Sequence, residues 1–151
     1  HRDLKPENVV LLPRRGAHFV KLLDFGIAKN LGTRGTGEET RKGILLGTPA
    51  YMAPEQVRGI AVGPAADVYA LGVLAYEVLT GHLPFDDTDP MRLAALHVEK
   101  AAPDPASFWP AIPDAARVLL MRMVAKRPES RPRLDEVRQT LRALCAGPGA
   151  A

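Results

Sequence analysis

The first residues of the chain, "HRDLKPEN", combine side chains that could carry out chemistry. Asp3 supplies a carboxylate, Lys5 supplies a positive charge, and Asn8 supplies an amide. A second acid, Asp24, follows in the triplet "DFG". Asn8 and Asp24 both carry side-chain oxygens, the hard ligands that Mg²⁺ prefers. If the fold brings these residues together, they could hold a divalent cation beside a carboxylate.

A β-hairpin is predicted between these two motifs. Residues 9–12 (VVLL) and 19–23 (FVKLL) are short β-type runs on either side of the turn-rich stretch "PRRGAH". We expect an antiparallel hairpin centred on Gly16. The expected pairs are Val9 with Leu23 and Leu12 with Val20. Asn8 and Asp24 would then face each other at the open end, with Cβ atoms about 4.5–5.5 Å apart.

The rest of the chain is predicted to be mainly helical, which gives an α+β fold class. Residues 64–81 are apolar nearly all round and should form a central buried helix, with Pro64 near its start and Gly81 past its end. Residues 114–126 predict a second helix. A third is indicated by apolar residues at helical spacing: Leu134, Val137, Leu141 and Leu144. Loops or linker are expected at residues 30–46, 101–113 and 146–151.

Composition excludes several classes of protein. The hydrophobic content of 46% and charged content of 25% are ordinary for one globular domain. The net charge of +3 is weak and the basic residues are scattered, so we expect no nucleic-acid partner. The longest apolar stretch contains Glu77 and is too short for a membrane segment. A cytoplasmic location is expected, and a membrane anchor elsewhere in the full-length protein is left open.

The number and spacing of cysteines and histidines indicate neither a disulfide nor a zinc site. Cys145 is the single cysteine, so an internal disulfide is excluded. The four histidines show no spacing typical of zinc ligands.

The ordered motifs together resemble the signature set of eukaryotic-type protein kinases, in the serine/threonine branch. "HRDLKPEN" and "DFG" are followed by "GTPAYMAPE", "DVYALG" and "TGHLPF" in the order and spacing of that family. Arg131 falls where the family has an arginine that pairs with the glutamate of "APE", here Glu55. The resemblance covers residues 1–145, which we interpret as part of a kinase domain, namely its large C-terminal lobe. "YMAPEQVRG" is similar to bacterial members.

The resemblance implies a role for each site residue. Asp3 would act as the catalytic base, and Lys5 would neutralise charge on the transferred phosphoryl group. Asn8 and Asp24 would bind Mg²⁺ that bridges the phosphates of ATP. Thr48 in "GTPAY" would help to seat the hydroxyl of the substrate beside the base. Lys5 followed by "PEN" implies a protein substrate modified on serine or threonine, with ATP and Mg²⁺ as cofactors.

The segment after "DFG" is interpreted as a flexible activation loop. "GTRGTG" at residues 32–37 has neither the order nor the preceding strand of a phosphate-cradling loop. Candidate phosphorylation sites are Thr33, Thr36 and Thr40. Arg2 and Lys29 could receive the phosphate and order the loop.

Three other residues have alternative readings. His1 could be a catalytic acid, but its role in the family is structural, in a stack that includes Phe25. Asp67 could favour the helix dipole, and in the family the matching residue holds the backbone of the catalytic loop, so both readings stay open. Glu77 could contact basic substrates or be structural only.

The glycine-rich loop and the strand lysine that hold ATP in this family are not found in the 151 residues. We therefore expect a truncated piece whose partner is the missing N-terminal lobe of the same polypeptide, with negligible activity and weak ATP binding alone. An apolar flank of the helix at residues 67–80 should then be exposed. A pseudokinase-like scaffold and a small-molecule kinase of similar fold are the alternatives. The intact set of Asp3, Lys5, Asn8 and Asp24 favours an enzyme over the scaffold. The segment "GTPAYMAPE", which positions polypeptide substrates in the family, argues against a small-molecule kinase.

Overall fold

The chain forms one short hairpin followed by helices, in a computed structural model that describes residues 1–14, 17–24 and 49–146. The strands are β1 (Val9–Arg14) and β2 (Ala17–Leu22). The helices of the described ranges are α1 (Pro54–Val57), α2 (Ala65–Thr80), α3 (Pro90–Glu99), α4 (Asp114–Met123) and α5 (Leu134–Ala146). Single 3₁₀ turns occur at Pro6–Asn8, Pro49–Tyr51, Pro105–Ser107 and Pro128–Ser130. The predicted α+β class with mainly helical content is confirmed.

The hairpin forms where it was predicted, but its register is shifted by one residue. Val9 pairs with Leu22 and Leu12 pairs with Phe19. The expected pairing of Val9 with Leu23 is therefore wrong. Both strands carry apolar residues at consecutive positions, so no alternation of apolar and polar side chains specifies which face is buried. As a result, Asn8 lies opposite Leu23, whose N–H donates to the Asn8 carbonyl at 2.9 Å, and Asp24 follows one residue later.

Helix α2 has the bounds and the central position that its sequence predicts. Pro64 precedes it, and Gly81 ends it with a φ of 73°, a left-handed conformation that glycine adopts without steric cost. The Gly81 N–H donates to the Glu77 carbonyl at 2.8 Å. The buried face includes Tyr69, Val73 and Tyr76, each with 0% exposure. The exposed side is confined to the last turn, where Val78 is 75% exposed.

Close contact between α2 and α4 depends on a glycine. A Cβ atom placed on Gly72 would lie 2.7 Å from the Cβ of Met123 and 3.1 Å from Cγ1 of Val124. Real side chains do not approach this closely, so the hydrogen of Gly72 allows the two helices to touch. Met123 packs there with Val68, Leu119 and Val137 in a buried cluster that joins α2, α4 and α5.

The region after α2 shows one helix that the sequence analysis did not predict. Helix α3 begins at Pro90, and the carboxylate of Asp89 caps it by accepting from the Met91 N–H at 2.9 Å. The proline-rich segment at residues 101–113 is a loop with one 3₁₀ turn, as predicted. Helix α4 ends three residues before its predicted end, because Arg127 before Pro128 is extended and the chain must leave the helix first.

An apolar cleft of about 830 Å³ runs along α2. Its apolar lining comes from Val9, Val20 and Leu22 of the hairpin and from Val68, Leu71 and Leu74 of α2. The apolar area that α2 itself exposes lies at Val78 and Leu79, whereas Val68 is buried and Leu71 and Leu74 are half-buried along the cleft. In the same ranges, no helix has the length and apolar character that crossing a lipid bilayer requires.

Candidate active site

Asp3, Lys5 and Asn8 converge at the start of the chain. The Lys5 Nζ lies 3.6 Å from Asp3 Oδ2. The Asn8 amide nitrogen lies 3.3 Å from the same oxygen and donates to the Asp3 backbone carbonyl at 2.8 Å. A carboxylate, an ammonium group and an amide thus share one small region.

A 3₁₀ turn at Pro6–Asn8 sets the position of Asn8. Pro6 fits the first position of the turn because that position needs no N–H donor. The Asn8 N–H closes the turn by donating to the Lys5 carbonyl at 3.0 Å. Asn8 is only 7% exposed, and its amide hydrogens are directed to Asp3, so Oδ1 is the atom of this side chain suited to a cation.

Arg2 has a φ of 66°, a left-handed conformation that is uncommon for a residue with a Cβ atom. Asp67 accepts from the backbone nitrogens of His1 at 2.9 Å and of Arg2 at 2.7 Å. Gln56 Nε2 donates to the Arg2 carbonyl at 3.0 Å. These bonds hold both peptide groups of Arg2 and so fix the direction from which the chain enters Asp3. The expectation that Asp67 holds the backbone of the loop at residues 1–8 is therefore confirmed.

Asp24 lies directly after the hairpin. It has a φ of 49°, a conformation that aspartate tolerates better than most residues, and its side chain is exposed. The preceding residue, Leu23, makes two hydrogen bonds to the first eight residues: its N–H donates to the Asn8 carbonyl, and its carbonyl accepts from His1 Nε2 at 3.0 Å. The backbone therefore places Asp24 next to the Asn8 segment, although not directly opposite Asn8 as expected.

Several predicted residues lie outside the described ranges. They are Phe25 and Gly26 of "DFG", Lys29, the threonines Thr33, Thr36 and Thr40, and Thr48. Their proposed roles stay predictions.

The segment that resembles the substrate-positioning part of the family packs beside Asp3. A small cleft next to Asp3 is lined by Arg2, Lys5, Tyr51, Met52 and Gln56, among others. The Tyr51 hydroxyl donates to Glu77 Oε2 at 2.5 Å. Burial and this bond to a carboxylate raise the pKa of Tyr51 above its ordinary value, so the hydroxyl stays a donor. Glu77 therefore has a structural partner within the chain.

The predicted pair of Glu55 and Arg131 is confirmed. Arg131 donates from its two terminal nitrogens to Glu55 Oε1 at 2.7 Å and Oε2 at 2.8 Å. Both side chains are almost completely buried. This bidentate pair fixes α1, and with it the segment that borders Asp3, to the helical body.

Two polar features were missed by the sequence analysis. One is Gln56, whose Oε1 also accepts from the Ala53 N–H at 3.0 Å. Its place three residues after the helix cap is the spacing of a capping box and could have identified it. The other is buried His97, whose Nδ1 lies 2.8 Å from the Tyr69 hydroxyl, across 28 residues of sequence. Burial, together with Lys126, lowers the pKa of His97 to about 4.

Asn8 and Asp24 carry side-chain oxygens of the kind that bind magnesium. Among the described residues, no group of three or more His, Cys, Asp or Glu side chains is arranged to hold a metal ion. Magnesium is usually held by one or two protein oxygens together with substrate phosphates and water. The Asn8 amide oxygen and the Asp24 carboxylate are donors of that kind.

Comparisons with known proteins identify the family of the chain. Residues 1–141 match the family described as the protein kinase domain. The serine/threonine-protein kinase Pkn1 of Myxococcus xanthus is 48% identical over 132 residues, which are 87% of this chain and 19% of that protein. For the serine/threonine-protein kinase PkaB of Streptomyces coelicolor, identity is 41% over 150 residues, 95% of this chain and 34% of that protein.

A third relative, the serine/threonine-protein kinase PknB of Mycobacterium tuberculosis, is 36% identical over 131 residues, 87% of this chain and 20% of that protein. The chain thus spans only a fifth to a third of the length of these relatives. Because the family match covers nearly the whole chain and the motif residues Asp3, Lys5 and Asn8 converge in the structure, this chain belongs to the eukaryotic-type serine/threonine protein kinase family.

Proposed function

We propose that the full-length protein transfers the terminal phosphoryl group of ATP to serine and threonine hydroxyls of protein substrates. The observation that carries this proposal is the approach of Lys5 Nζ and Asn8 Nδ2 to the Asp3 carboxylate, at 3.6 Å and 3.3 Å. The names of the relatives, which are serine/threonine-protein kinases, support the same activity.

Asp3 is the proposed base. Its carboxylate would accept a hydrogen bond from the substrate hydroxyl and take its proton as the bond to phosphorus forms. Lys5 Nζ and Asn8 Nδ2 both lie within 3.6 Å of this carboxylate and help to hold it in place. The left-handed backbone at Arg2, held from both sides, keeps Asp3 in one orientation without help from the substrate.

Lys5 has a second proposed contact. Its ammonium is a compact charge on a flexible stem, and a lysine of this kind can turn from Asp3 towards a phosphoryl oxygen. Neutralising charge on the transferred group lowers the barrier, because phosphoryl transfer depends on positioning and electrostatic stabilisation. Because Lys5 Nζ lies 3.6 Å from Asp3 Oδ2, Lys5 can contact either the base or a phosphoryl group bound beside the base.

Asn8 and Asp24 are the proposed ligands of Mg²⁺. The metal, when bound, would neutralise charge on the phosphates of ATP. Asn8 presents Oδ1 because its amide hydrogens bond Asp3, and burial of Asn8 restricts this orientation. Asp24 is exposed and directly follows the residue that bonds Asn8.

Thr48 is proposed to help seat the substrate hydroxyl, which agrees with specificity for serine and threonine. It precedes Pro49 and Tyr51, and the 3₁₀ turn Pro49–Tyr51 is buried against α2 and α3. A peptide with tyrosine in place of serine should be a poor substrate.

We also propose that the 151 residues alone transfer phosphate at a negligible rate. Nothing in the sequence provides the glycine-rich loop and strand lysine that cover and orient the ATP phosphates in protein kinases. Activity of the 151-residue protein close to that of the full-length protein would contradict this point.

The test compares full-length protein with the variant Asp3→Asn. Asparagine keeps the shape of the side chain but cannot accept the proton, so transfer to a serine peptide should fall by about 10²-fold or more. Asp86→Asn makes the same chemical change at an exposed position and should leave the rate unchanged. Equal rates for Asp3→Asn and unmodified protein would overturn the proposal.

A further inference from the structure

The side chain of Gln56 makes two hydrogen bonds of opposite sense. Its Oε1 accepts from the Ala53 N–H at 3.0 Å, and its Nε2 donates to the Arg2 carbonyl at 3.0 Å. The first bond is local to the start of α1. The second crosses 54 residues of sequence to the catalytic segment. Gln56 therefore joins the segment beside the cleft to the residue that precedes Asp3.

The Arg2 peptide that Gln56 contacts is the one that leads into Asp3. Arg2 has a φ of 66°, which a residue with a Cβ atom keeps only when neighbouring bonds hold it. Asp67 holds the N–H of Arg2 at 2.7 Å, and Gln56 holds its carbonyl. Rotation of the Arg2–Asp3 peptide would break the Gln56 bond and turn the Asp3 carboxylate.

Gln56 can act in this way because α1 is itself fixed. The neighbouring Glu55 is buried in its bidentate pair with Arg131, and Pro54 occupies the first position of the helix. The amide of Gln56 thus projects from a rigid support.

We propose that Gln56 is a positioning residue for Asp3 and couples the substrate-facing segment at residues 49–57 to the orientation of the base. The proposal rests on the proposed function, since it assigns Gln56 a part in that reaction. Only a side chain with an acceptor and a donor satisfies both Ala53 and Arg2. Glutamate has the same length but supplies acceptors alone, so it keeps the bond to Ala53 and places an oxygen against the Arg2 carbonyl.

The kinetic test uses Gln56→Glu in full-length protein. We expect kcat to fall about fivefold, while KM for ATP and for the peptide stays unchanged. The loss of kcat is modest because the Gln56–Arg2 hydrogen bond is exposed to solvent. Gln56→Met loses both bonds, so it should lower kcat and also raise KM for the peptide, because the cap of α1 is lost. Gln139→Glu makes the same chemical change at an exposed position of α5 and serves as the matched control.

Hydrogen exchange of the same proteins tests the contact without relying on activity. In Gln56→Glu the backbone amides of residues 2–5 should exchange faster than in Gln139→Glu, while those of α2 are unchanged. If Gln56→Glu matches Gln139→Glu in both kcat and exchange, the inference is wrong. If no variant, including the unmodified protein, transfers phosphate while the exchange difference is present, the proposed function fails and the positioning contact is supported.

Discussion

Glu55 and Arg131 form a bidentate ion pair across 76 residues of sequence, with N–O distances of 2.7 Å and 2.8 Å. Arg131 also donates to three backbone carbonyls, those of Ala65, Ala125 and Lys126. One guanidinium therefore links α1, the start of α2 and the loop after α4. Its planar fork supplies all of these bonds, which lysine could not do.

Breaking this pair should strongly destabilise the protein. Glu55→Gln leaves the buried charge of Arg131 without its carboxylate partner, so we expect a loss of about 3–5 kcal/mol in the free energy of unfolding. Urea unfolding of the 151-residue protein measures this loss. Glu136→Gln removes the partner of Arg122 from a solvent-exposed pair and should lower the free energy of unfolding far less, because water screens this pair. Equal losses in the free energy of unfolding for the two variants would show that burial of the Glu55–Arg131 pair does not increase its contribution to stability.

The contact between α2 and α4 gives a steric prediction. Gly72→Ala would place a methyl group 2.7 Å from the Cβ of Met123, a backbone-bound atom that cannot turn aside. The helices would have to separate, at a cost of about 1–3 kcal/mol. Gly63→Ala is the control, because no atom lies within 4 Å of its added Cβ. Thermal unfolding should show a lower midpoint for Gly72→Ala alone, and an unchanged midpoint would contradict the observed packing.

The buried His97 should make stability depend on pH. Burial and the neighbouring Lys126 lower the pKa of His97 to about 4 in the folded protein, whereas an unfolded histidine has a pKa of about 6.5. The unfolded chain therefore binds the proton more readily between these values. The stability that neutral His97 contributes is fully present above about pH 6.5 and is lost as the pH falls towards 4, by about 3 kcal/mol in all.

Urea unfolding at about pH 7 and about pH 4.5 tests this dependence. In His97→Gln, which cannot titrate, the free energy of unfolding should fall less between the two pH values than in the unmodified protein. His82→Gln removes an exposed histidine and should keep the full pH dependence. The same pH dependence in His97→Gln and unmodified protein would exclude His97 as its source.

Local sequence signals predicted the elements that have clear ends. Helix α2 was found because Pro64 and Gly81 mark both its limits, and the Glu55–Arg131 pair because both residues lie in motifs of the family. Helix α3 was missed, although Asp89 before Pro90 is a strong start signal and Leu93, Ala94 and Leu96 follow it.

Other features depend on tertiary structure that no local pattern reports. The hairpin register was off by one because its strands are apolar on both faces. The contact of His97 with Tyr69 joins two helices, and only their packing brings the side chains together. In the site, the hairpin prediction placed Asn8 opposite Asp24 instead of Leu23, and no local pattern indicated that Gln56 holds the backbone before Asp3.

The contact of Asn8 with Asp3 leads to the last prediction. Asn8→Asp keeps a side-chain oxygen that can bind a cation, but it replaces the N–H donor with a second negative charge. In the unmodified protein that donor, Asn8 Nδ2, lies 3.3 Å from Asp3 Oδ2. Repulsion between the carboxylates disfavours the ionised base, so kcat of the full-length protein should fall about tenfold or more. Asn8→Ala loses the oxygen as well and should raise the Mg²⁺ concentration needed for half-maximal activity.

Titration of Mg²⁺ against phosphate transfer to a serine peptide separates the two functions of Asn8. The metal requirement should rise in Asn8→Ala but not in Asn8→Asp, because only alanine removes the oxygen donor. Gln139→Glu adds a negative charge at an exposed site and controls for the change in net charge. If Asn8→Ala had the metal requirement of the unmodified protein, Asn8 would not be a ligand, and its amide would serve only to orient Asp3.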